Sequence, residues 1–193
     1  MDSITWDWPL FEALNFDGGE VMDVAMEAVS GVAMWIPLYI AILYMVWRKY
    51  SWRGLGMFIL AVALAMGLAD FISAIFKLTG PLEAVLPELP VRRRPMFTEG
   101  IASMHVPSFD HGIYGTVSSH AATIVALALL SSMVIRRRWF TLVMTLVALL
   151  ICYSRIYLAC HFPQDIIIGA VAGALSAGVG MLFFEYIFLR RTK

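Results

Sequence analysis

Long runs of apolar residues, separated by short polar or basic stretches, dominate the chain from about residue 28 onward. Five of these runs are long enough to cross about 30 Å of hydrocarbon, which takes about 20 residues of helix. The pattern predicts membrane-spanning helices at roughly 28–47, 55–79, 118–135, 139–158 and 163–189. The segment "GEVMDVAMEAVSG" ahead of the first run is amphipathic, and we expect it to lengthen that helix toward the headgroups.

The N-terminal segment combines acidic residues with large apolar ones. It lacks the basic-then-apolar order of a cleavable signal peptide, so we expect it to stay on the mature protein. Its apolar residues are Trp6, Trp8, Leu10, Phe11, Leu14 and Phe16. Because tryptophan rings prefer the membrane interface, the pattern predicts a short interfacial helix within residues 1–27.

Composition supports an integral membrane protein. Of the 193 residues, 61% are hydrophobic and 15% are charged, against about 25% charged in a soluble domain. The net charge is zero, which gives no argument for nucleic acid as a partner. Repeats and flexible linkers are missing, so we predict a single all-α domain over residues 1–193, a polytopic helical bundle of about five membrane helices.

The two cysteines, Cys152 and Cys160, are predicted to be free thiols in the core rather than a disulfide. No ligand spacing for a metal involves them. The sequence also lacks a carboxylate cluster suited to Mg²⁺ and a Cys/His quartet for Zn²⁺. We therefore expect neither a metal nor another cofactor.

The basic residues predict an orientation, because short loops rich in Lys and Arg stay cytoplasmic. Nine of the fourteen lie at one set of helix ends: Arg48, Lys49, Arg53, Arg136, Arg137, Arg138, Arg190, Arg191 and Lys193. With five spans these clusters share one side, so we predict an outer N-terminus and a cytoplasmic C-terminus. The other five then face outward, where a positive charge needs a reason: Lys77, Arg92, Arg93, Arg94 and Arg155.

Three segments are expected to meet at the outer face: the end of the second span with its loop, the start of the third span, and the junction of the fourth and fifth. They carry these polar residues: Asp70, Lys77, Arg92, Arg93, Arg94, Ser118, Ser119, His120, Ser154, Arg155, His161 and Asp165. Fixed cations, two imidazoles and small residues at helix starts form an anion site, and phosphate suits such a site best.

Each of these residues also has a structural explanation. Boundary histidines are commonly interfacial residues, arginines near helix ends snorkel to headgroups, and Ser118 or Ser119 can cap a helix. Asp165 suits a first helical turn, and Asp70 and Lys77, on one helix face, can neutralise each other. These separate explanations do not account for the occurrence of all these residues together on one face of the membrane.

Metal-free cleavage of a phosphate ester needs a nucleophile, a group that orients it, an acid for the leaving oxygen and cations for the phosphoryl oxygens. His161 and Asp165, one helical turn apart, fit the first two roles, since the carboxylate can hold one ring nitrogen protonated while the other attacks phosphorus. His120, on a different helix, can protonate the leaving group. Three cations can neutralise the phosphoryl oxygens: Lys77, Arg94 and Arg155.

These residues resemble the pattern of the type 2 phosphatidic acid phosphatases (PAP2), which is K-x6-R-P, then P-S-G-H, then S-R-x5-H-x3-D. The third motif is matched without a gap by "SRIYLACHFPQD" at residues 154–165. The second appears as "VSSH" at residues 117–120, with Val and Ser replacing Pro and Gly. The resemblance covers roughly residues 55–189.

The first motif departs most from the family pattern. Its R-P pair begins at Arg94, but the family's lysine position is occupied by Pro87. The inserted stretch "LTGPLEAVLPELPV" explains the spacing if Lys77 is the family lysine, and its prolines predict a stiff lid or wall near the site. Arg92 or Arg93 can share the role of Arg94.

The resemblance implies a PAP2/haloperoxidase-like helical core and a metal-independent lipid phosphatase. His161 would form a phosphohistidine, oriented by Asp165, while His120 would protonate the leaving group and then activate water. By position in the motifs, the phosphate-binding residues would be Lys77, Arg94, Ser118, Ser119 and Arg155, with Asp70, Arg93 and Ser154 in support.

The implied substrate is a membrane lipid phosphate: undecaprenyl diphosphate, lipid A, phosphatidylglycerophosphate or phosphatidic acid. The implied location is a bacterial inner membrane with the site facing the periplasm. His105 and His111, in the loop between the first two motifs, can touch headgroups or serve a structural role. Two alternatives remain: a lipid-linked phosphotransferase that uses the same phosphohistidine, and a transporter or scaffold that binds phospholipid without cleaving it.

Overall fold

The computed structural model describes residues 6–77, 92–98, 105–106 and 112–189, and over these ranges the protein is a bundle of α-helices. The helices are α1 (Trp8–Leu14), α2 (Glu20–Ser30), α3 (Ile36–Ile75), α4 (Ser119–Ile135), α5 (Arg138–Tyr157) and α6 (Pro163–Phe184). Short 3-10 turns occur at Ala33–Trp35 and Pro95–Phe97, and Glu185–Leu189 forms a π-helical turn after α6. The predicted proline-rich wall, His111 and the basic residues 190–193 lie outside the described residues.

Several of these helices are long and apolar. Within the described part of the chain, three stretches are long and apolar enough to cross a membrane, namely Ala33–Ile75, Arg138–Tyr157 and Pro163–Phe188, while Ser119–Ile135 is apolar but shorter. The predicted all-α membrane bundle is confirmed at this level. The last three predicted helices begin and end within one or two residues of α4, of α5, and of α6 with its π-helical turn.

Helix α3 contains most of the first two predicted spans, but it begins at Ile36 rather than at residue 28 and ends at Ile75 rather than at residue 79. Its 40 residues would extend about 60 Å if straight, twice the thickness of the hydrocarbon core. Ser51 interrupts it with non-helical dihedrals, φ 61° and ψ −174°. Tyr39 and Met66 line the same cavity, although a straight helix would separate them by about 40 Å. The two halves of α3 therefore fold back on each other at Ser51, inside the basic stretch between the predicted spans.

The amphipathic segment before the first span forms a helix of its own, α2, instead of lengthening that span as predicted. The break comes at Gly31, whose backbone is extended, with ψ 152°. Its N–H still donates to the carbonyls of Glu27 and Ala28 at 3.0 and 3.1 Å, which closes the last turn of α2. The chain then changes direction before α3 begins.

The short N-terminal helix that the sequence predicts is present as α1, but one face of it packs against protein. Trp8 and Phe11 are buried, and their rings lie 5.8 and 5.1 Å from the ring of Phe162. Trp6 and Leu10 are exposed on the other side. Helix α1 therefore covers the loop between α5 and α6.

Glycines on α6 allow that helix to approach α4 closely. A Cβ atom added to Gly169 would lie 2.6 Å from the carbonyl oxygen of Ser118, and one added to Gly173 would lie 2.2 Å from that of Ala122. Small residues four apart are the usual means by which membrane helices bring their backbones together. This contact joins the helix that follows the third motif to the helix that begins in the second.

Candidate active site

His161 lies in the short loop between α5 and α6 and is 1% exposed. Its Nδ1 is 2.8 Å from the carbonyl oxygen of Gly115, and its Nε2 is 3.2 Å from Nη1 of Arg94. A carbonyl oxygen can only accept, so Nδ1 carries the proton and the lone pair lies on Nε2. His161 is thereby fixed in the tautomer whose Nε2 can act as a nucleophile.

Arg94 reaches His161 because of a small antiparallel bridge between Arg93 and Tyr114. The bridge is held by Arg94 N–H donating to Ile113 O and Gly115 N–H donating to Arg92 O, both at 2.9 Å. Side chains alternate along an extended segment. Arg94 is accordingly buried, whereas Arg93 is exposed.

The side chain of Arg94 meets neutral groups. Its Nη1 donates to the carbonyl oxygen of Cys160 at 3.2 Å, besides its contact with His161. Its buried Nε has no hydrogen-bond partner among the described residues. Arg94 thus keeps donor capacity for an anion beside the nucleophilic nitrogen.

Lys77 lies two residues beyond the end of α3 and donates to the hydroxyl of Ser119, at the start of α4. The Ser119 hydroxyl is also 2.8 Å from that of Ser73, which donates to Val117 O at the same distance. The first and second motifs are therefore joined by a chain of hydroxyl groups. Asp70, expected as a possible partner of Lys77, forms no ion pair with it within the described ranges.

Arg155, the arginine of the third motif, is 3% exposed and donates from Nη1 to the hydroxyl of Ser30 at the end of α2. Ser154 is buried beside it, and its hydroxyl donates to Ile151 O at 2.7 Å within α5. The hydroxyl of Ser154 is therefore bonded within α5. The contact of Arg155 with Ser30 was not predicted from the sequence.

Asp165 occupies the first turn of α6, where its Oδ2 accepts from Phe162 N–H at 3.0 Å. The same oxygen lies 3.5 Å from Nδ1 of His161, beyond ordinary hydrogen-bond length. The bond that was expected from Asp165 to the His161 ring is made by the carbonyl of Gly115 instead. Asp165 therefore lies beside the imidazole without a direct hydrogen bond to it, and it closes the first turn of α6 through its bond to Phe162 N–H.

Ser118 holds the second motif in place. Its hydroxyl accepts from Ala121 N–H at 3.3 Å, which caps α4, and its backbone N–H donates to Asp165 O at 3.2 Å. Ser118 is fully buried. It links the second and third motifs through the backbone, while Ser119 presents the hydroxyl that meets Lys77.

His120 is exposed and lines a cavity of about 240 Å³ between α2, α3, α4 and α5. Its polar lining residues include Ser30, Asp70, Ser119 and His120. Its apolar lining residues include Met66, Leu127 and Ile151. His161 and Arg94 are not among the residues that line the cavity. Its lining includes Ser119 and Ser30, the hydroxyl partners of Lys77 and Arg155.

The positive charges of the site act on its titratable groups. Burial, and then the charges of Arg94, Arg155 and Lys77, hold the pKa of His161 well below its ordinary value, so the ring is neutral at pH 7. Burial and the charge of Arg94 lower the pKa of Lys77 to about 8. Burial also lowers the pKa of Arg94.

Several contacts in the site were not predicted. Gly115 is one of them, since a Cβ atom there would lie 2.7 Å from Cγ of Arg94 and 3.2 Å from Nδ1 of His161. Its position shortly before the second motif was the available signal. Ser73, one helical turn before Lys77, could have been placed on the same face of α3.

The free thiols of Cys152 and Cys160 are confirmed.

The fold and these motifs define a class of membrane phosphatases. A family model described as the PAP2 superfamily matches residues 58–189, which include all three motifs. The chain therefore belongs to the PAP2 superfamily and is a PAP2-type lipid phosphatase, as the resemblance of its motifs implied.

Within this superfamily the chain is similar to two lipid A 4'-phosphatases. It is 30% identical to that of Bacteroides thetaiotaomicron over 164 residues, which cover 84% of this chain and 68% of the relative. It is 26% identical to that of Porphyromonas gingivalis over 184 residues, 95% of this chain and 74% of the relative. The crystal structure of Aquifex aeolicus LpxE shares the fold, with a TM-score of 0.66 over 94% of this chain and 98% of that one, at 18% identity.

Proposed function

We propose that this protein removes a phosphate group from lipid A, through a phosphohistidine formed on His161. The reaction class follows from the family, and the choice of lipid A is supported by the names of the two curated relatives. The amphiphilic cavity beside His120 supports a substrate with a polar headgroup and acyl chains.

The observation that carries the mechanism is the tautomer of His161. Its Nδ1 donates to Gly115 O, which leaves the Nε2 lone pair for attack on phosphorus. Because Nη1 of Arg94 is 3.2 Å from Nε2, a phosphoryl oxygen bound by Arg94 would bring phosphorus next to the nucleophile. A neutral ring is required for attack, and the low pKa of His161 supplies it.

The reaction then proceeds in two steps. Nε2 of His161 attacks phosphorus, the bond from phosphorus to the lipid oxygen breaks, and His120 protonates the departing oxygen. Water then attacks the phosphohistidine while His120 accepts its proton, which releases inorganic phosphate. As positive charge develops on the imidazole, Gly115 O and the charge of Asp165 stabilise it.

The phosphoryl oxygens would be held by Lys77 and Arg155, each of which donates to a serine hydroxyl in the structure. Lys77 would exchange the hydroxyl of Ser119 for phosphate, and Arg155 would exchange that of Ser30. A phosphoryl oxygen brings a negative charge that a serine hydroxyl lacks, so each cation gains an ion pair in the exchange. These two hydroxyls belong to the cavity lining, which connects binding of a headgroup there to the buried motif residues.

We further propose that five segments cross a bacterial inner membrane, with the two halves of α3 counted separately. The basic clusters at the C-terminal end of α4 and around Ser51 support a cytoplasmic location for that side. The site then faces the periplasm, and the C-terminus is cytoplasmic.

The test is phosphate release from purified lipid A in detergent micelles, with EDTA present, by the wild-type protein and by His161→Ala. We expect the variant to lose activity by about a thousandfold or more, with an unchanged elution volume and melting temperature. Lipid A labelled with ³²P should leave an acid-labile, alkali-stable label on the wild-type protein. Activity that survives in His161→Ala would refute the nucleophile assignment. A wild-type protein that prefers undecaprenyl diphosphate, phosphatidylglycerophosphate or phosphatidic acid would refute lipid A as the substrate.

A further inference from the structure

The carboxylate of Asp7 lies next to the candidate site, far in sequence from any motif. Asp7 occupies the N-cap position of α1, but its side chain does not cap that helix. Instead it is fully buried and accepts from Gln164 N–H at 3.0 Å, in the first turn of α6. Asp7 thus caps the helix that carries Asp165 rather than its own.

Asp7 also binds Arg92 through both carboxylate oxygens. Nη1 of Arg92 is 2.9 Å from Oδ2 and Nη2 is 3.0 Å from Oδ1, which is the paired geometry of a strong guanidinium–carboxylate contact. The guanidinium lies over the ring of Phe162, 3.5 Å from its centre. Phe162 directly follows His161, so Arg92 contacts the residue next to the proposed nucleophile.

Arg92 stands between two carboxylates. Its Nη1 bonds to Asp7 at 2.9 Å and lies 3.9 Å from Oδ1 of Asp165. The other oxygen of Asp165 faces the His161 ring at 3.5 Å. Arg92 is therefore closer to Asp7 than to Asp165, and the Asp165 carboxylate lies between Arg92 and His161.

We propose that Asp7 is a positioning residue, which holds Arg92 and the first turn of α6 so that Asp165 stays aligned with His161. The inference rests on the proposed role of His161 as the nucleophile. It assigns the N-terminal segment, outside all three motifs, a direct part in the rate of the reaction.

The physical reason is competition for one cation. Two carboxylates share the guanidinium of Arg92, and in a buried setting a charge that loses its partner is drawn toward the nearest opposite charge. Without the charge of Asp7, that opposite charge is Asp165. A move of Asp165 toward Arg92 takes it away from the His161 ring and also pulls on the start of α6.

The N-terminal segment makes contacts on both sides of the loop between α5 and α6, which fix the position of Asp7. Trp8, the residue after Asp7, packs on Phe162, and so does Phe11 one helical turn further along. At the far end of α1, Asn15 donates to Tyr157 O at 2.7 Å and to Ile156 O at 3.3 Å, at the end of α5. The segment is thus held on both sides of the loop that carries His161.

The decisive comparison is Asp7→Asn against Glu20→Gln, in steady-state hydrolysis of lipid A by the full-length protein. Both variants remove one negative charge from the N-terminal segment, but Glu20 is exposed at the start of α2. We expect kcat of Asp7→Asn to fall by about tenfold to a hundredfold with KM within about twofold of wild type, as for a small misplacement of reacting groups. Glu20→Gln should match wild type in both constants.

A double-variant cycle separates positioning from loss of packing. If Asp7 acts through Arg92, then in an Arg92→Gln background the change Asp7→Asn should lower kcat by less than about twofold. If Asp7→Asn lowers kcat by the same factor in the wild-type and Arg92→Gln backgrounds, the two residues act independently, and the inference is contradicted. If Asp7→Asn does not fold, Arg92→Lys decides, because it keeps the charge and loses the paired contact. A lowered kcat with unchanged KM supports the inference, and an unchanged kcat overturns it.

The same data distinguish this inference from the proposed function. A wild-type protein that releases no phosphate from lipid A or from the other three lipid phosphates refutes the function and, with it, the role of Asp7. An active wild type with Asp7→Asn equal to Glu20→Gln refutes only the inference. An active wild type with a specific loss of kcat in Asp7→Asn supports both.

Discussion

Lys77 offers a pH-dependent test of the phosphate-binding site. Its pKa is lowered to about 8, first by burial and then by the charge of Arg94. Because the pKa of a lysine is that of its cationic form, the charge is present below about pH 8 and is lost as the pH rises through that value. A lysine that binds phosphate only when charged should therefore weaken substrate capture in alkaline solution.

The size of the effect follows from this value. With a pKa of about 8, about one molecule in eleven keeps the charge at pH 9, since protonation falls tenfold per pH unit above the pKa. The ratio kcat/KM reports ionisations of the free enzyme. We expect it to be about tenfold lower at pH 9 than on its plateau near pH 7, in hydrolysis of lipid A at constant detergent and ionic strength.

The matching perturbation is Lys77→Arg, since arginine stays charged throughout this range. The variant can differ from wild type in its plateau value, but its kcat/KM at pH 9 should remain within about twofold of that plateau. Lys49→Arg is the control, because Lys49 donates to the carbonyls of Val134 and Ile135 at the opposite end of α4. It should keep the wild-type alkaline decline. The same alkaline decline in Lys77→Arg as in wild type would refute the assignment of this pKa to Lys77.

Two further predictions concern the bundle and its orientation. Gly173→Ala should lower the free energy of unfolding by about 1 to 3 kcal/mol, as overpacking does, because its Cβ atom would lie 2.2 Å from Ala122 O. Gly178→Ala should not lower it, because among the described residues beyond its own helical turn no atom would lie within 4 Å of the added Cβ. Equal melting temperatures would contradict the packing argument. A reporter fused after Lys193 should give a cytoplasmic signal, and a periplasmic signal would overturn the orientation.

Much of the fold was predictable because the apolar runs and the helices obey the same length constraint. The ends of α4 and α5 coincide with polar or basic residues, which the hydrocarbon core excludes. The division at Gly31 was not predictable from amphipathicity, since "GEVMDVAMEAVSG" has the same pattern whether or not the helix continues. The reversal at Ser51 was predicted, because two consecutive membrane spans run in opposite directions and the basic stretch between them marks the turn.

The site was predictable where spacing along one helix or loop fixes geometry, as in the third motif. It was not predictable where the partner is a backbone group, because any residue type supplies a carbonyl. Gly115 O takes the place that was expected for Asp165 at the His161 ring for this reason. Long-range partners are hidden as well, since Asp7 and Arg92 meet only in the folded chain.

The three consecutive arginines show how the folded chain separates equal residues into different roles. Alternation along the extended segment turns Arg93 outward and buries Arg94. Arg92 already has a carboxylate partner, Asp7, so phosphate would have to break an existing ion pair to bind there. Within the described residues, Nη1 of Arg94 contacts a carbonyl and an imidazole, neither of which carries a negative charge that phosphate would have to displace. The proposal that Arg94 is the phosphate-binding arginine therefore rests on what each guanidinium already contacts, and the same reasoning supports the proposal for Lys77, which donates to a hydroxyl.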